Sequence, residues 1–254
     1  MNNSKIEWCD KTWNPVTGCL HNCEYCYAAG ISKRFNSSKG GKILNISLDE
    51  MAKHTKGHDI YHIAFQPTFH CYRLDEPQKL KKPSNIFVCS MADLFGEWVP
   101  DEWIKQVFEA CEKAPQHNYL FLTKNPKRYS KLRDNGLLPK NKIFWYGTTI
   151  TKDNDLAFMD IRFNHFLSVE PILEKIEFSH KEMEENIKWL IVGTETGNRK
   201  EKVIPKREWI ENIVKQCKKY DTPLFMKNNL SKIWGEELIK QFPKGLQNDL
   251  SMRN

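Results

Sequence analysis

The chain has no uninterrupted apolar run approaching the ~18 residues that a membrane helix needs, which excludes a helical span. Behind Met1-Asn2-Asn3-Ser4-Lys5 there is no apolar segment of the kind that marks a secretory signal. No internal repeat, low-complexity tract or Pro/Ser-rich linker divides the sequence, so one domain over residues 1–254 is expected. A disulfide scaffold is also excluded, since eight thiols in 254 residues are too few for one. These absences lead to the expectation of a cytoplasmic chain with reduced thiols. There, clustered cysteines bind metal or do redox chemistry rather than cross-link.

What is present suits a large α/β domain, which routinely runs ~200–250 residues. Hydrophobic residues make up 40% and charged residues 28%, enough for a sizeable core. Lys and Arg total 39 against 32 Asp and Glu, a net charge of +7. That excess fits either an anionic partner or a solvated surface.

From about residue 86, short apolar runs alternate with amphipathic stretches. Ile86–Ser90, Tyr119–Thr123, Ile143–Thr148, Phe166–Glu170, Trp189–Gly193 and Pro223–Met226 read as buried strands. Between them, Ile104, Val107, Phe108 and Cys111 repeat at helical spacing after Pro100-Asp101, as do Ile210, Ile213, Val214 and Cys217 after Pro205. Asn125-Pro126 opens another helix and Asn135-Gly136 closes it. Such alternation implies βα units around a parallel sheet, either doubly wound or a full or partial barrel. The strands end in polar residues: Ser90 with Asp93, Thr123-Lys124, Thr148-Thr149, Ser168 with Glu170, Thr194-Glu195 and Lys227-Asn228. Active sites of parallel α/β folds lie at those ends. Residues 28–85 are less regular and read as a basic helical insertion carrying Lys33, Arg34, Lys39, Lys42, Lys53 and Lys56. Ser47–Glu50 reads as a capping box and Ile63–Pro67 as an extra strand.

Cys19-Leu20-His21-Asn22-Cys23-Glu24-Tyr25-Cys26 is a C-x3-C-x2-C run. At this cysteine content chance supplies about 0.008 such runs per chain. Three thiolates from one loop suit a [4Fe–4S] cluster with one iron left open. A structural zinc is the rival, with Cys9 or His21 as fourth ligand. Paired Cys-x2-Cys knuckles, the usual zinc pattern, are absent. Cys89, Cys111 and Cys217 sit in apolar patterns and read as core, and Cys71 lies in a polar stretch beside His70.

The triad Cys19, Cys23 and Cys26, with an aromatic residue before the last cysteine, resembles the signature of the radical S-adenosylmethionine (SAM) superfamily. Trp8–Gly18, Ser90–Phe95, Leu122–Pro126, Ser168–Pro171 and Ile191–Gly197 narrow the resemblance to a compact, phage-associated branch of it. The resemblance implies a partial (β/α)6-type barrel, with the cluster loop after the first strand and the basic insertion following it. It implies a [4Fe–4S] cluster, SAM chelated to the open iron, and reductive cleavage to a 5′-deoxyadenosyl radical that abstracts hydrogen from a substrate. An electron donor such as flavodoxin or ferredoxin is implied too. Carried over residue by residue, it puts Ser90 and Asp93 at the SAM amino group and Lys124 at its carboxylate. Thr148, Ser168 and Glu170 fall by the ribose, and Ile191, Tyr25 and Tyr27 by the adenine. Glu195 arrives one residue early for the superfamily's adenine motif. Only the basic insertion and a C-terminal tail, residues 229–254, look idiosyncratic.

Basic clusters at 79–82, 124–133 and 199–207, with Trp8, Trp13, Tyr25, Tyr27 and Trp98, suggest DNA or RNA as substrate, its base flipped or single-stranded. The same chemistry on a peptide or small metabolite is the alternative. A non-enzymatic, zinc-containing nucleic-acid-binding module is a third. A monomer with no membrane association is expected.

Overall fold

The computed structural model describes residues 1–35, 65–185, 187–196 and 199–246. A short antiparallel strand, β1 (Asn2–Asn3), borders β2 (Lys11–Trp13). The hairpin-like ribbon of β3 (Val16–Thr17) and β4 (Thr68–Phe69) stands apart from the main sheet. The main sheet continues through β5 (Asn85–Val88), β6 (Asn118–Thr123), β7 (Phe144–Ile150), β8 (Asn164–Val169), β9 (Leu190–Val192) and β10 (Leu224–Met226). From β2 to β10 each strand lies parallel to its predecessor, in the order β2-β5-β6-β7-β8-β9-β10. Strand order never reverses, so there is no topological switch point. The sheet is a partial barrel rather than a doubly wound one.

Helices follow the strands as the periodicities require. α1 (Tyr27–Phe35) comes after the cysteine loop, and α2 (Glu76–Lys79) is a single turn before β5. α3 (Asp101–Glu112) buries Ile104, Val107, Phe108 and Cys111, while α4 (Pro126–Asp134) stops before Gly136 at φ +69. α5 (His180–Glu185), α6 (Arg207–Lys219) and α7 (Ser231–Trp234) follow among the described residues. The capping box at Ser47–Glu50, Lys39, Lys42, Lys53 and Lys56, and residues Ile63 and Ala64 of the expected strand lie outside the described residues. Phe65, the next residue, is in a turn at φ +59.

β5, β7, β9 and β10 are buried along their whole length, as parallel strands covered on both faces must be. Their alternate residues divide between two surroundings. Phe87, Leu120, Trp145, Phe166, Trp189, Ile191 and Phe225 fill the inside of the barrel with Trp8. Ile86, Tyr119, Phe121, Phe144 and Tyr146 face outward toward α3 and α4, and Leu167, Val169, Leu190, Val192 and Leu224 toward α6. The interior is therefore a packed floor, with each large side chain contributing roughly 1.5–3 kcal/mol.

The two chain ends complete this floor. Residues 239–241 run along the free edge of β10, with Met226 N donating to Ile239 O (2.7 Å) and Gln241 N to Leu224 O (2.9 Å). Phe242 and Leu246 enter the inner core, and Asn85 Nδ2 donates to Leu246 O at 3.0 Å. The stretch expected as an idiosyncratic tail is thus structural through residue 246. Beside this edge Glu7 accepts from Asn228 N (3.0 Å) and Lys240 Nζ (2.6 Å), fixing Ile6–Trp8 beside the end of β10. No helix among the described residues is long and apolar enough to cross a membrane.

Gly147 tests the packing. It lies inside the barrel on β7, and a Cβ there would meet the Phe166 ring at 2.3 Å. Gly147→Ala should cost about 1–3 kcal/mol by overpacking and lower Tm by roughly 2–10 °C. An unchanged thermal transition would show that the floor is looser than described.

Candidate functional site

Above the floor, where the strands end, lies an open cavity of about 1100 Å³ counted out to its mouth. Its walls include Cys19, Cys23 and Cys26, the ends of β5, β6, β7, β8 and β10, and the loop after β9. Ile6, Trp8, Phe87 and Leu122 make an apolar base.

The cysteine loop is held from several directions. Gly18 N donates to Met91 O (3.0 Å) and Cys19 N to Phe65 O (3.0 Å). Gly18 adopts φ +84, and a Cβ there would lie 2.0 Å from the Gln66 carbonyl, so only glycine fits before Cys19. Cys26 N closes a turn on Cys23 O at 3.1 Å, and Ala29 N in the first turn of α1 donates to Cys26 Sγ at 3.4 Å. That amide is one of the helix's free N-terminal donors, and it favours negative charge on the sulfur.

His21 does not turn toward the thiols. Its Nε2 is 2.7 Å from Asp93 Oδ2, with the Trp98 ring packed edge-on. Asp93 is buried and accepts three further hydrogen bonds: from Phe95 N (2.9 Å), Thr123 Oγ1 (2.9 Å) and Lys124 N (2.9 Å). Its carboxylate is therefore fully used in joining the cysteine loop, its own loop and the end of β6. Cys9 is buried beside Ser4, whose hydroxyl lies 3.1 Å from its sulfur, and is not part of the cavity wall. Both residues that could complete a zinc site are thus engaged elsewhere. Among the described residues no three His, Cys, Asp or Glu side chains are placed to hold a single metal ion. A multi-iron cluster spreads its ligand sulfurs over several corners, and three thiols facing one cavity fit that donor set.

Burial disfavours the thiolate at two of the three cysteines. Burial pushes Cys19 up to about 11, and Asp93 with the two companion thiols adds to the rise. Burial also raises Cys23, opposed by the Lys124 ammonium. Thiolates here need a positively charged inorganic centre to offset this.

Of the expected cofactor residues, Tyr25, Tyr27, Ser90, Asp93, Lys124, Ser168, Glu170 and Glu195 all line this cavity. They differ in what remains free. Tyr27 donates its hydroxyl to Ser90 O (2.5 Å), and the Ser90 hydroxyl donates to Asn14 Oδ1 (3.2 Å). Glu195 is buried under a bidentate pair with Arg199, at 2.8 Å for both bonds, which holds its carboxyl below the usual range. Arg199 also reaches Glu24 at 3.2 Å, pinning the cysteine loop to the loop after β9. By contrast, Lys124 has its ammonium 5.4 Å from the Tyr25 ring centre and no carboxylate partner among the described residues. The hydroxyl of Ser168 is likewise without a partner among them.

Two expected residues are not in the cavity wall. Thr148 points out of the barrel and accepts from Phe158 N at 3.2 Å. Its neighbour Thr149 faces in, since successive residues of a strand take opposite faces. Because every residue of β7 is buried, polarity along the strand gave no sign of which threonine was which. Ile191 packs one layer lower, in the floor with Trp189 and Phe225. Lys227, read from the sequence as a polar strand end but given no binding role, stands at the end of β10 and pairs with Glu170. Cys89, read as core, is buried but borders the cavity at φ +61.

The arginines of the basic clusters are paired within the fold. Arg128 is buried against Val99 O and Asp101, Arg133 pairs with Asp134 and Asp160, and Arg207 with Glu211 and Glu236. On α4 only Lys127 and Lys131 of the cluster stay exposed. Arginines held in internal pairs add little to a track for a polyanion.

A family model described as a protein of unknown function, DUF5131, matches residues 3–247. No curated protein matches the chain. Among solved structures, a mutant of spore photoproduct lyase is similar at 11% identity, covering 89% of this chain and 78% of that one with a TM-score of 0.48.

The elevated Cys19 thiol is open to measurement in metal-free protein. At about two pH units above the ordinary thiol value of 9.0, it carries about 100-fold less thiolate at pH 8. Iodoacetamide labelling of Cys19, followed by peptide mapping, should rise about tenfold per pH unit until near pH 11. Labelling at neutral pH as fast as a free thiol would contradict the buried, uncompensated setting.

Proposed function

We propose that this chain, which belongs to the DUF5131 family of proteins of unknown function, is a radical SAM enzyme. The observation that carries the reading is the convergence of Cys19, Cys23 and Cys26 on one cavity, with both candidate fourth ligands for zinc engaged elsewhere. When bound, a [4Fe–4S] cluster and SAM would supply reductive sulfonium cleavage and hydrogen abstraction from a substrate.

The protein's own residues then have separable tasks. Cys19, Cys23 and Cys26 would hold the cluster, with the α1 amide of Ala29 stabilising charge on Cys26. Lys124 offers an unpaired ammonium, among the described residues, for the carboxylate of SAM, and its backbone is fixed by Asp93. Ser168 and Thr149 present hydroxyls from adjacent strands, suited to a ribose. Tyr25 and Tyr27 wall the cysteine side. Asp93, Tyr27 and Glu195 act by holding loops in place, since their polar atoms are already used. The apolar base of Ile6, Trp8, Phe87 and Leu122 keeps water from the reacting end of the cavity. A soluble reductant protein would deliver the electron.

Anaerobic reconstitution with iron and sulfide, then incubation with SAM and dithionite, tests the reading. Methionine and 5′-deoxyadenosine should form in equal amounts. Alanine at Cys19, Cys23 or Cys26 should abolish both cluster and products. Lys124→Met should keep the cluster but weaken SAM binding about 10- to 100-fold, the range for a lost charge-assisted hydrogen bond. Product formation that survives loss of a cysteine would refute the assignment.

A further inference from the structure

Lys124 is taken up by the proposed cofactor, and two carboxylates in the cavity wall have spent their hydrogen-bonding capacity, Asp93 on four donors and Glu195 on Arg199. The pair Glu170–Lys227 has not. Lys227 Nζ donates to Glu170 Oε1, while Glu170 Oε2 and the remaining ammonium hydrogens have no partner among the described residues. Both side chains are partly exposed to the cavity.

The pair is built on a rigid base. Gly193 N donates to Val169 O (3.0 Å) and Lys227 N to Val192 O (2.9 Å), so sheet pairing reaches the last residue before each group. Gly193 lies between them, just past the end of β9. A Cβ there would come within 3.0 Å of Lys227 Cδ and 3.1 Å of Glu170 Oε1, so the bare backbone leaves the space the pair occupies. Ile6, Trp8 and Phe87 supply apolar surface in the same cavity.

We propose that Glu170 and Lys227 are the substrate-recognition pair of this enzyme, taking the N–H/C=O edge of a lactam ring such as an oxo nucleobase. The inference rests on the radical SAM reading only for the word substrate. The pair is neutral overall, so it gains most from a neutral group that offers a donor and an acceptor side by side. A ring lactam fixes its N–H and C=O cis and coplanar, the N–H toward Oε2 and the carbonyl toward Nζ. A trans peptide points the two in opposite directions and cannot serve both. Each contact is charge-assisted, and the aromatic and aliphatic base of the cavity suits a flat ring. The recognition is of one base and does not need a polyanion track, consistent with the internally paired arginines.

The test uses cluster-reconstituted protein saturated with S-adenosylhomocysteine, so that the cofactor's own adenine site is filled. Calorimetric titration with uridine and guanosine should show binding of at least one. N3-methyluridine, which lacks the lactam N–H, should bind at least about tenfold more weakly than uridine if uridine is the ligand, and N1-methylguanosine likewise for guanosine. Glu170→Gln and Lys227→Met should each weaken binding about 10- to 100-fold. The methylated ligands make the result independent of how well either variant folds. Equal binding of the methylated and parent nucleosides, or no binding of either parent, would overturn the proposal. So would adenosine binding that depends on the pair and is lost when S-adenosylhomocysteine is present, since the pair would then belong to the cofactor. SAM cleavage without lactam binding defeats this inference alone, whereas lactam binding without a cluster defeats the radical reading alone.

Discussion

The site depends on one buried carboxylate. Asp93 receives hydrogen bonds from His21 in the cysteine loop, from Phe95 in its own loop, and from Thr123 and Lys124 at the end of β6. A buried carboxylate without partners is costly, so each donor is held where the carboxylate needs it. Through His21 it sets the cysteine loop against the barrel, and through the Lys124 amide it fixes the base of a lysine whose ammonium acts on Cys23. Asn14 adds a second tie, accepting from Ser90 Oγ and Met91 N, and Arg199 a third between Glu24 and Glu195. The cavity is thus shaped by polar groups that do not themselves remain free for a ligand.

That division between used and free groups separates support from chemistry. Asp93, His21, Tyr27 and Glu195 hold loops, whereas Lys124, Thr149, Ser168 and the Glu170–Lys227 pair keep capacity to bind. The thiols divide similarly. Cys111 and Cys217 are buried among apolar side chains, while Cys19, Cys23 and Cys26 are partly exposed and share one wall. Burial raises Cys19 and Cys23 above ordinary thiols, so without a bound centre these two favour the neutral form. A site that needs its cofactor to become ionised couples loading to proton release.

Much of this was legible in the chain because the strands from β5 to β10 are apolar runs and the helices between them are amphipathic. The first barrel strand, Lys11–Trp13, was not legible: three residues with one buried tryptophan carry no pattern. Thr148 and Thr149 could not be told apart because β7 is buried on both faces. The C-terminal segment read as a tail since Phe242 and Leu246 are isolated among polar residues, yet they close the floor of the barrel. The pairing of the charge clusters was hidden for a related reason. Sequence shows Arg128, Arg133 and Arg207 together with lysines, but not Asp101, Asp160 and Glu236, which reach them from elsewhere in the fold.

The central claim is that three cysteines hold an iron–sulfur cluster and leave one iron without a protein thiolate. Electron paramagnetic resonance of the reconstituted, dithionite-reduced protein, recorded before and after adding SAM, tests it most directly. The account predicts about four iron and four sulfide per chain and a signal that changes when SAM is added. A signal indifferent to SAM, or a colourless protein that retains zinc and builds no reducible cluster, would contradict it.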